Sequence, residues 1–61
     1  MFIILDSKNR ALDIKAHEEM FGESKLYYNA ELDKWAVSVS GKVDHEAPKV
    51  KKLGEGWICK P

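Results

Sequence analysis

The stretch from Lys25 to Ser40 constrains this chain more than any other part of it. Leu26, Tyr28 and Ala30 alternate with Lys25, Tyr27 and Asn29, and a little later Trp35, Val37 and Val39 alternate with Ala36, Ser38 and Ser40. Strict alternation is the mark of a strand with one buried face. The second run also satisfies a helical template. Leu32, Trp35, Ala36 and Val39 fall at i, i+3, i+4 and i+7, with Asn29 as a candidate N-cap and Gly41 just past the end. Two arguments favour the hairpin. Val37, Ser38, Val39 and Ser40 would each cost a helix roughly half a kcal/mol relative to alanine, whereas all four suit a pleated, half-buried surface. Folding the chain about Leu32-Asp33 then sets Leu26 opposite Val39, Tyr28 opposite Val37 and Ala30 opposite Trp35, so the apolar residues share one face. The intervening "ELDK" has no glycine for a primed two-residue turn, which predicts a four-residue loop.

Around this hairpin the other elements follow. Phe2–Leu5 is a short run of β-forming residues that ends in the turn chemistry of "DSKN". Residues 10–21 predict a helix, with Asn9 as N-cap, Gly22 beyond its end and Leu12, Ala16 and Met20 as the buried stripe beside Phe21. Leu12, Ile14 and Ala16 also alternate, so residues 12–16 could instead pair with residues 2–5, leaving Asp13 to cap a shorter helix over 14–21. "GKVDHEAP" is a connecting loop, because Pro48 discourages helix at Ala47. Residues 49–53 and 56–59 flank "GEG" as a last hairpin, with a single strand at 56–59 as the alternative. The expectation is one small α+β domain: a helix on an antiparallel sheet of three to five strands at about 2–5, 25–30, 35–40, 49–53 and 56–59.

So short a chain has a marginal core, since a domain of about 60 residues buries only about 60% of the surface its unfolded form exposes. Cys59 is the only cysteine, which excludes an internal disulfide and suits a reducing compartment. A partner or a second copy of the chain is then the expected further source of stability. "MFIIL" lacks the basic region and the length of a secretory signal and is too short to span a bilayer. A cytoplasmic location, in its own cell or in a host's, is the expectation, without membrane contact.

Ten basic side chains balance ten acidic ones, which disfavours both a strongly basic nucleic-acid binder and an acidic mimic. Residues 1–41 carry five basic against seven acidic groups and residues 42–61 five against three, too small an asymmetry to select a partner.

The side chains that carry chemistry are sparse. His17-Glu18-Glu19 resembles the start of a helical zinc-protease motif, but the second histidine it needs would stand at position 21, which is Phe. Glu18, Glu19 and Lys15 are therefore expected to be solvated. Asp44-His45-Glu46 are consecutive, and adjacent residues converge poorly on one ion. A solvated loop with an exposed histidine is the simpler reading. Cys59 is expected either as a small packed side chain or as an exposed thiol, and no histidine adjoins it in sequence to activate it. The four glycines are scattered and make no phosphate loop. No catalytic, metal or cofactor residues are assigned, and a non-enzymatic protein is expected.

The aromatics divide by face. Tyr28 and Trp35 belong under the helix, while Tyr27 points outward, and exposed Tyr and Trp are enriched in protein–protein hot spots. Tyr27, Asn29, Lys49, Lys51, Lys52 and Trp57 are the candidate partner-binding residues, on the outer sheet face and its loops. The format of the chain, one short α+β domain without a catalytic motif, resembles the small accessory proteins of phages and other mobile elements. That resemblance implies action by binding and then inhibiting or redirecting a host macromolecular complex. The leading expectation is a protein-binding module, with self-association as a dimer. Nucleic-acid binding through the C-terminal lysines is the alternative, although a single arginine is few for a phosphate-clamping surface, and lysines also protect sheet edges. An assembly subunit is the third reading.

Overall fold

A computed structural model describes residues 1–45 and 47–61. Its elements are β1 (Phe2–Leu5), α1 (Lys8–Glu19), β2 (Leu26–Asn29), β3 (Lys34–Ser38), β4 (Lys49–Val50) and β5 (Ile58–Lys60). The five strands form one sheet in the order β4-β1-β3-β2-β5, with every neighbouring pair antiparallel. The domain is thus one helix on an antiparallel sheet, as the sequence implies. β1 and β2 run parallel, joined by α1, and β3 is inserted between them.

The hairpin is present, but its register differs from expectation by two residues. Leu26 opposes Val37 and Tyr28 opposes Trp35. The cause is the turn. Asn29 Oδ1 accepts the Leu32 N–H at 3.1 Å, and Asp33 adopts φ 53°, a conformation its short polar side chain tolerates. The loop is therefore the four residues Ala30–Asp33, and Ala30 leaves the sheet to become exposed. An even slip keeps every side chain on its own face, so Leu26, Tyr28, Trp35 and Val37 still face the helix.

The helix begins earlier than the spacing predicts. Ser7, in extended conformation, is the N-cap; its Oγ accepts the Arg10 N–H at 3.4 Å and its carbonyl accepts the Ala11 N–H at 3.0 Å. It also ends earlier, at Glu19 with Met20 as C-cap, while the Gly22 N–H closes back on the Glu18 carbonyl at 3.1 Å. The expected stripe is wrong. Leu12, Ala16, Met20 and Phe21 are exposed, and the helix faces the sheet with Ala11, Ile14 and Glu18. Its apolar residues are spread almost evenly around the axis, so periodicity gave no true face, and contact with the sheet decided it.

The core comprises Ile3, Leu5, Ala11, Leu26, Val37 and Val39, with Ile14, Trp35 and Ala47 packed at its margin. Ile3, Val37 and Leu26 stand in one row across β1, β3 and β2. The ladder extends one residue beyond the strands, where the Val39 N–H donates to the Met1 carbonyl at 2.7 Å.

The C-terminal segments correct a further expectation. Residues 49–53 and 56–59 do not pair with each other; β4 and β5 lie at opposite edges of the sheet, and β4 is only two residues long. The two strands run parallel, β4 finishing level with Phe2 and β5 starting level with Tyr28, which pairs through Trp35 with Leu5. The connection must therefore cross four strand spacings and three residue rises, roughly 22 Å. Eight chain steps reach at most about 28 Å, so residues 51–57 take a nearly direct diagonal. Right-handed crossovers are the rule for parallel strands. This one steps across the sheet in the same sense as β1-α1-β2 but joins strands of the opposite direction, so it belongs on the opposite face. Asn29, on that face, donates from Nδ2 to the Glu55 carbonyl at 3.3 Å, and Ala36, in the middle of that face, is fully buried. Residues 51–57 form a strap over the second face of the sheet.

Candidate functional site: the two flanks of the helix

With the strap on one face and α1 on the other, the remaining concave surface lies along the two sides of α1. On the β1 side the loop after β3 closes against the helix. Glu18, only 3% exposed, accepts the Ser40 backbone N–H through Oε1 at 3.0 Å and contacts His45 Nε2 through Oε2 at 2.8 Å. Burial pushes the Glu18 carboxyl up, but hydrogen bonds from His45 and from the Ser40 backbone and hydroxyl, with the pull of the imidazole, outweigh it and hold the carboxyl below its ordinary range. Glu18 is therefore not the solvated helix residue its position suggested, and His45 is not an exposed loop histidine. A sequence pattern cannot pair residues 27 positions apart when neither belongs to a periodic run.

Beside this pair lies a groove of about 300 Å³ lined by Asp13, Ile14, His17, Val43, Asp44 and His45. Among the described residues no group of three or more His, Cys, Asp or Glu side chains is placed to hold a metal ion. Of the three candidate loop ligands, Glu46 lies outside the described residues.

On the β5 side the helix faces the β2–β5 edge of the sheet. A groove of about 550 Å³ runs between α1 and the β2–β5 edge, lined by Lys8, Leu12, Leu26, Trp35, Lys60 and Pro61. Leu12 is 42% exposed, and Ile58, which shares the helix-facing side of β5, is 60% exposed. Trp35 is held on two sides. The Lys8 ammonium sits 5.4 Å from its ring centroid, and the Tyr28 ring packs at 4.5 Å with a 41° tilt. Tyr28 in turn donates its hydroxyl to Asp33 Oδ1 at 2.8 Å. That bond to a carboxylate, then burial, then the charge itself raise the phenol above its usual range.

The six residues singled out from sequence are not brought together. Tyr27 is half-buried on the second sheet face, its ring edge-on to Phe2 at 5.8 Å. Asn29 is buried and uses its amide on Leu32 and Glu55. Lys49 faces the helix side and donates to the Val43 carbonyl at 3.0 Å. Lys51 and Lys52 are exposed where the strap leaves the β4 edge, and Trp57 is half-buried at its other end, before β5. Cys59 is an exposed thiol on β5. Of the residues lining the groove on the β5 side, Lys60 was weighed from sequence among the C-terminal lysines for nucleic acid, Leu12 was assigned to the core by helical spacing, and Lys8 was not singled out. Compared with known proteins, the chain matches no family model, no curated protein and no solved structure. Among the described residues no helix is long and apolar enough to cross a membrane.

Proposed function

We propose that this chain is a small, non-catalytic protein-binding module, and that its docking surface is the groove between α1 and the β5 edge. One observation carries the reading: the fold leaves Leu12 exposed in an apolar groove and Ile58 exposed on the same side of the sheet, while its own strap crosses the sheet face that alternation suggested. Exposed apolar side chains rimmed by charge are what an interface requires. A partner seated there would also supply burial to a core whose large, fully buried side chains, among the described residues, are Ile3 and Val37. In this reading the module acts by occupying a surface of a larger complex, the mode implied by the format of small accessory proteins.

The test is affinity capture from the native cell with three baits: the wild type, Leu12→Ser with Ile58→Ser, and Tyr27→Ala. Loss of the captured protein with the groove variant and its retention by Tyr27→Ala supports the reading. Retention by the groove variant, or loss only with Tyr27→Ala, returns the docking surface to the sheet face and overturns it. Sedimentation of the wild type at rising concentration shows whether that captured protein is a second copy of the chain.

A further inference from the structure

We propose that the groove accepts an acidic peptide segment of another protein that carries an aliphatic side chain beside its carboxylates. This rests on the groove being the docking surface and adds the chemistry of what it takes. The argument starts from placement. Lys60 stands opposite Leu26 on β2. Lys8 stands over Trp35, which opposes Tyr28 two residues further along the same strand. The two lysines therefore stand at levels about 7 Å apart along the strands, and both line the groove together with Leu12, Leu26 and Pro61.

Neither ammonium has an acidic partner among the described residues, and no acidic side chain is in the groove's lining. Two cations set among apolar side chains in one groove complement a ligand that carries both carboxylates and an aliphatic side chain. A lysine–carboxylate contact beside apolar surface is stronger than one in open water, because the partner displaces solvent around it.

Nucleic acid offers anions too, but the groove suits it less. A base needs a free aromatic face, and Trp35 is held between Lys8 and Tyr28. Apart from Lys8 and Lys60 the rest of the lining is aliphatic and offers no second aromatic ring for a neighbouring base.

The probe is a blocked hexapeptide, Asp-Glu-Leu-Leu-Glu-Asp, titrated into isotopically labelled full-length protein and followed by NMR. Two counterparts are run beside it: one with every acid replaced by Lys, one with both leucines replaced by Ser. Saturable shifts at Lys8, Leu12, Leu26, Lys60 and the Trp35 indole are expected with the acidic peptide alone. Binding should weaken by roughly tenfold between 50 and 300 mM salt, as screening of exposed charges requires, and should vanish in Lys8→Glu with Lys60→Glu. Both lysines lie at the surface, so a cooperative melt and wild-type-like amide shifts away from the groove confirm that this variant folds. Absence of saturable shifts at millimolar peptide, shifts elsewhere, or equal binding of the lysine peptide overturns the proposal. So does tighter binding of a deoxythymidine hexamer at the same residues, which assigns the groove to nucleic acid. In the capture experiment, a partner lost with Leu12→Ser and Ile58→Ser but kept by the double glutamate variant leaves the docking surface standing and removes only the acidic class.

Discussion

The two flanks of α1 are built from similar materials and end in opposite states. On the β1 flank, a buried carboxylate from the helix takes up Ser40 and His45 of the neighbouring loop, so its polar groups are satisfied within the chain. On the β5 flank, two ammonium groups and the exposed Leu12 line a larger groove, with Ile58 exposed on the same side of the sheet. The contrast separates side chains that the fold itself uses from side chains that it leaves free. A buried polar group with all its bonds made internally holds the fold together. An exposed charge beside apolar surface, unpaired within the chain, is available to something else.

The largest expected effect lies on the closed flank. Glu18→Ala leaves the Ser40 N–H and His45 without their acceptor, and stability should drop by about 1–3 kcal/mol in a denaturant melt. Amide exchange should quicken first in residues 40–45. Acid should reproduce part of the loss. Because the folded carboxyl titrates below its ordinary range, the unfolded chain takes up a proton there before the folded one does. The stability this provides is complete above the unfolded carboxylate range and disappears as pH falls through the lower, folded value. Unfolding free energy should therefore decline below about pH 5, and Glu18→Gln should flatten that portion of the profile. An unchanged acid limb in Glu18→Gln contradicts the latch.

The strap gives the next effect. Gly56 has φ 88°, and a Cβ there would lie 3.0 Å from Asn29 Nδ2, the atom that ties the strap to β2. Gly56→Ala should cost about 1–2 kcal/mol from backbone conformation alone, plus the crowding of Asn29. Gly54→Ala separates the two, since Gly54 has φ 84° with nothing within 4 Å of its added methyl. A larger loss at 56 than at 54 in thermal melts locates the strap against Asn29. Equal losses remove that contact from the account.

How much of this was legible follows from the range of each interaction. Alternation in Leu26–Tyr28 and Trp35–Val39 identified the hairpin and its inward face, because a strand's faces depend only on parity. The register was missed by two residues because Asn29 was weighed as a helix cap and a surface residue, not as the side chain that bonds Leu32 and closes the turn. The helix was found, but its face was not. Leu12, Ala16 and Met20 were the more apolar stripe, yet Ala11, Ile14 and Glu18 meet the sheet. Glu18 is accepted there only because two groups far along the chain satisfy it. The same blindness hid the strap. "GEG" is good turn chemistry, and only the positions of β4 and β5 at opposite edges show that those glycines serve a crossing rather than a hairpin. The open groove was invisible for a related reason: Leu12 was counted as core.

The smallest expected effect is the sharpest test of the comparison. Leu12→Ser and Lys8→Ser remove side chains that are exposed, and surface substitutions of this kind usually stay within about 0.5 kcal/mol. Lys8 also lies over Trp35, and a cation–π contact at an exposed site is worth roughly 0.5–1 kcal/mol, so Lys8→Ser should sit at the upper end and Leu12→Ser near zero. Calorimetric melts of both beside Glu18→Ala decide the point. If Leu12→Ser destabilises the fold as much as Glu18→Ala does, Leu12 is packed in solution and the β5 flank is as closed as its counterpart. If its melt matches the wild type while capture of the partner is lost, the open flank contributes to binding and not to folding, which is the distinction the two grooves draw.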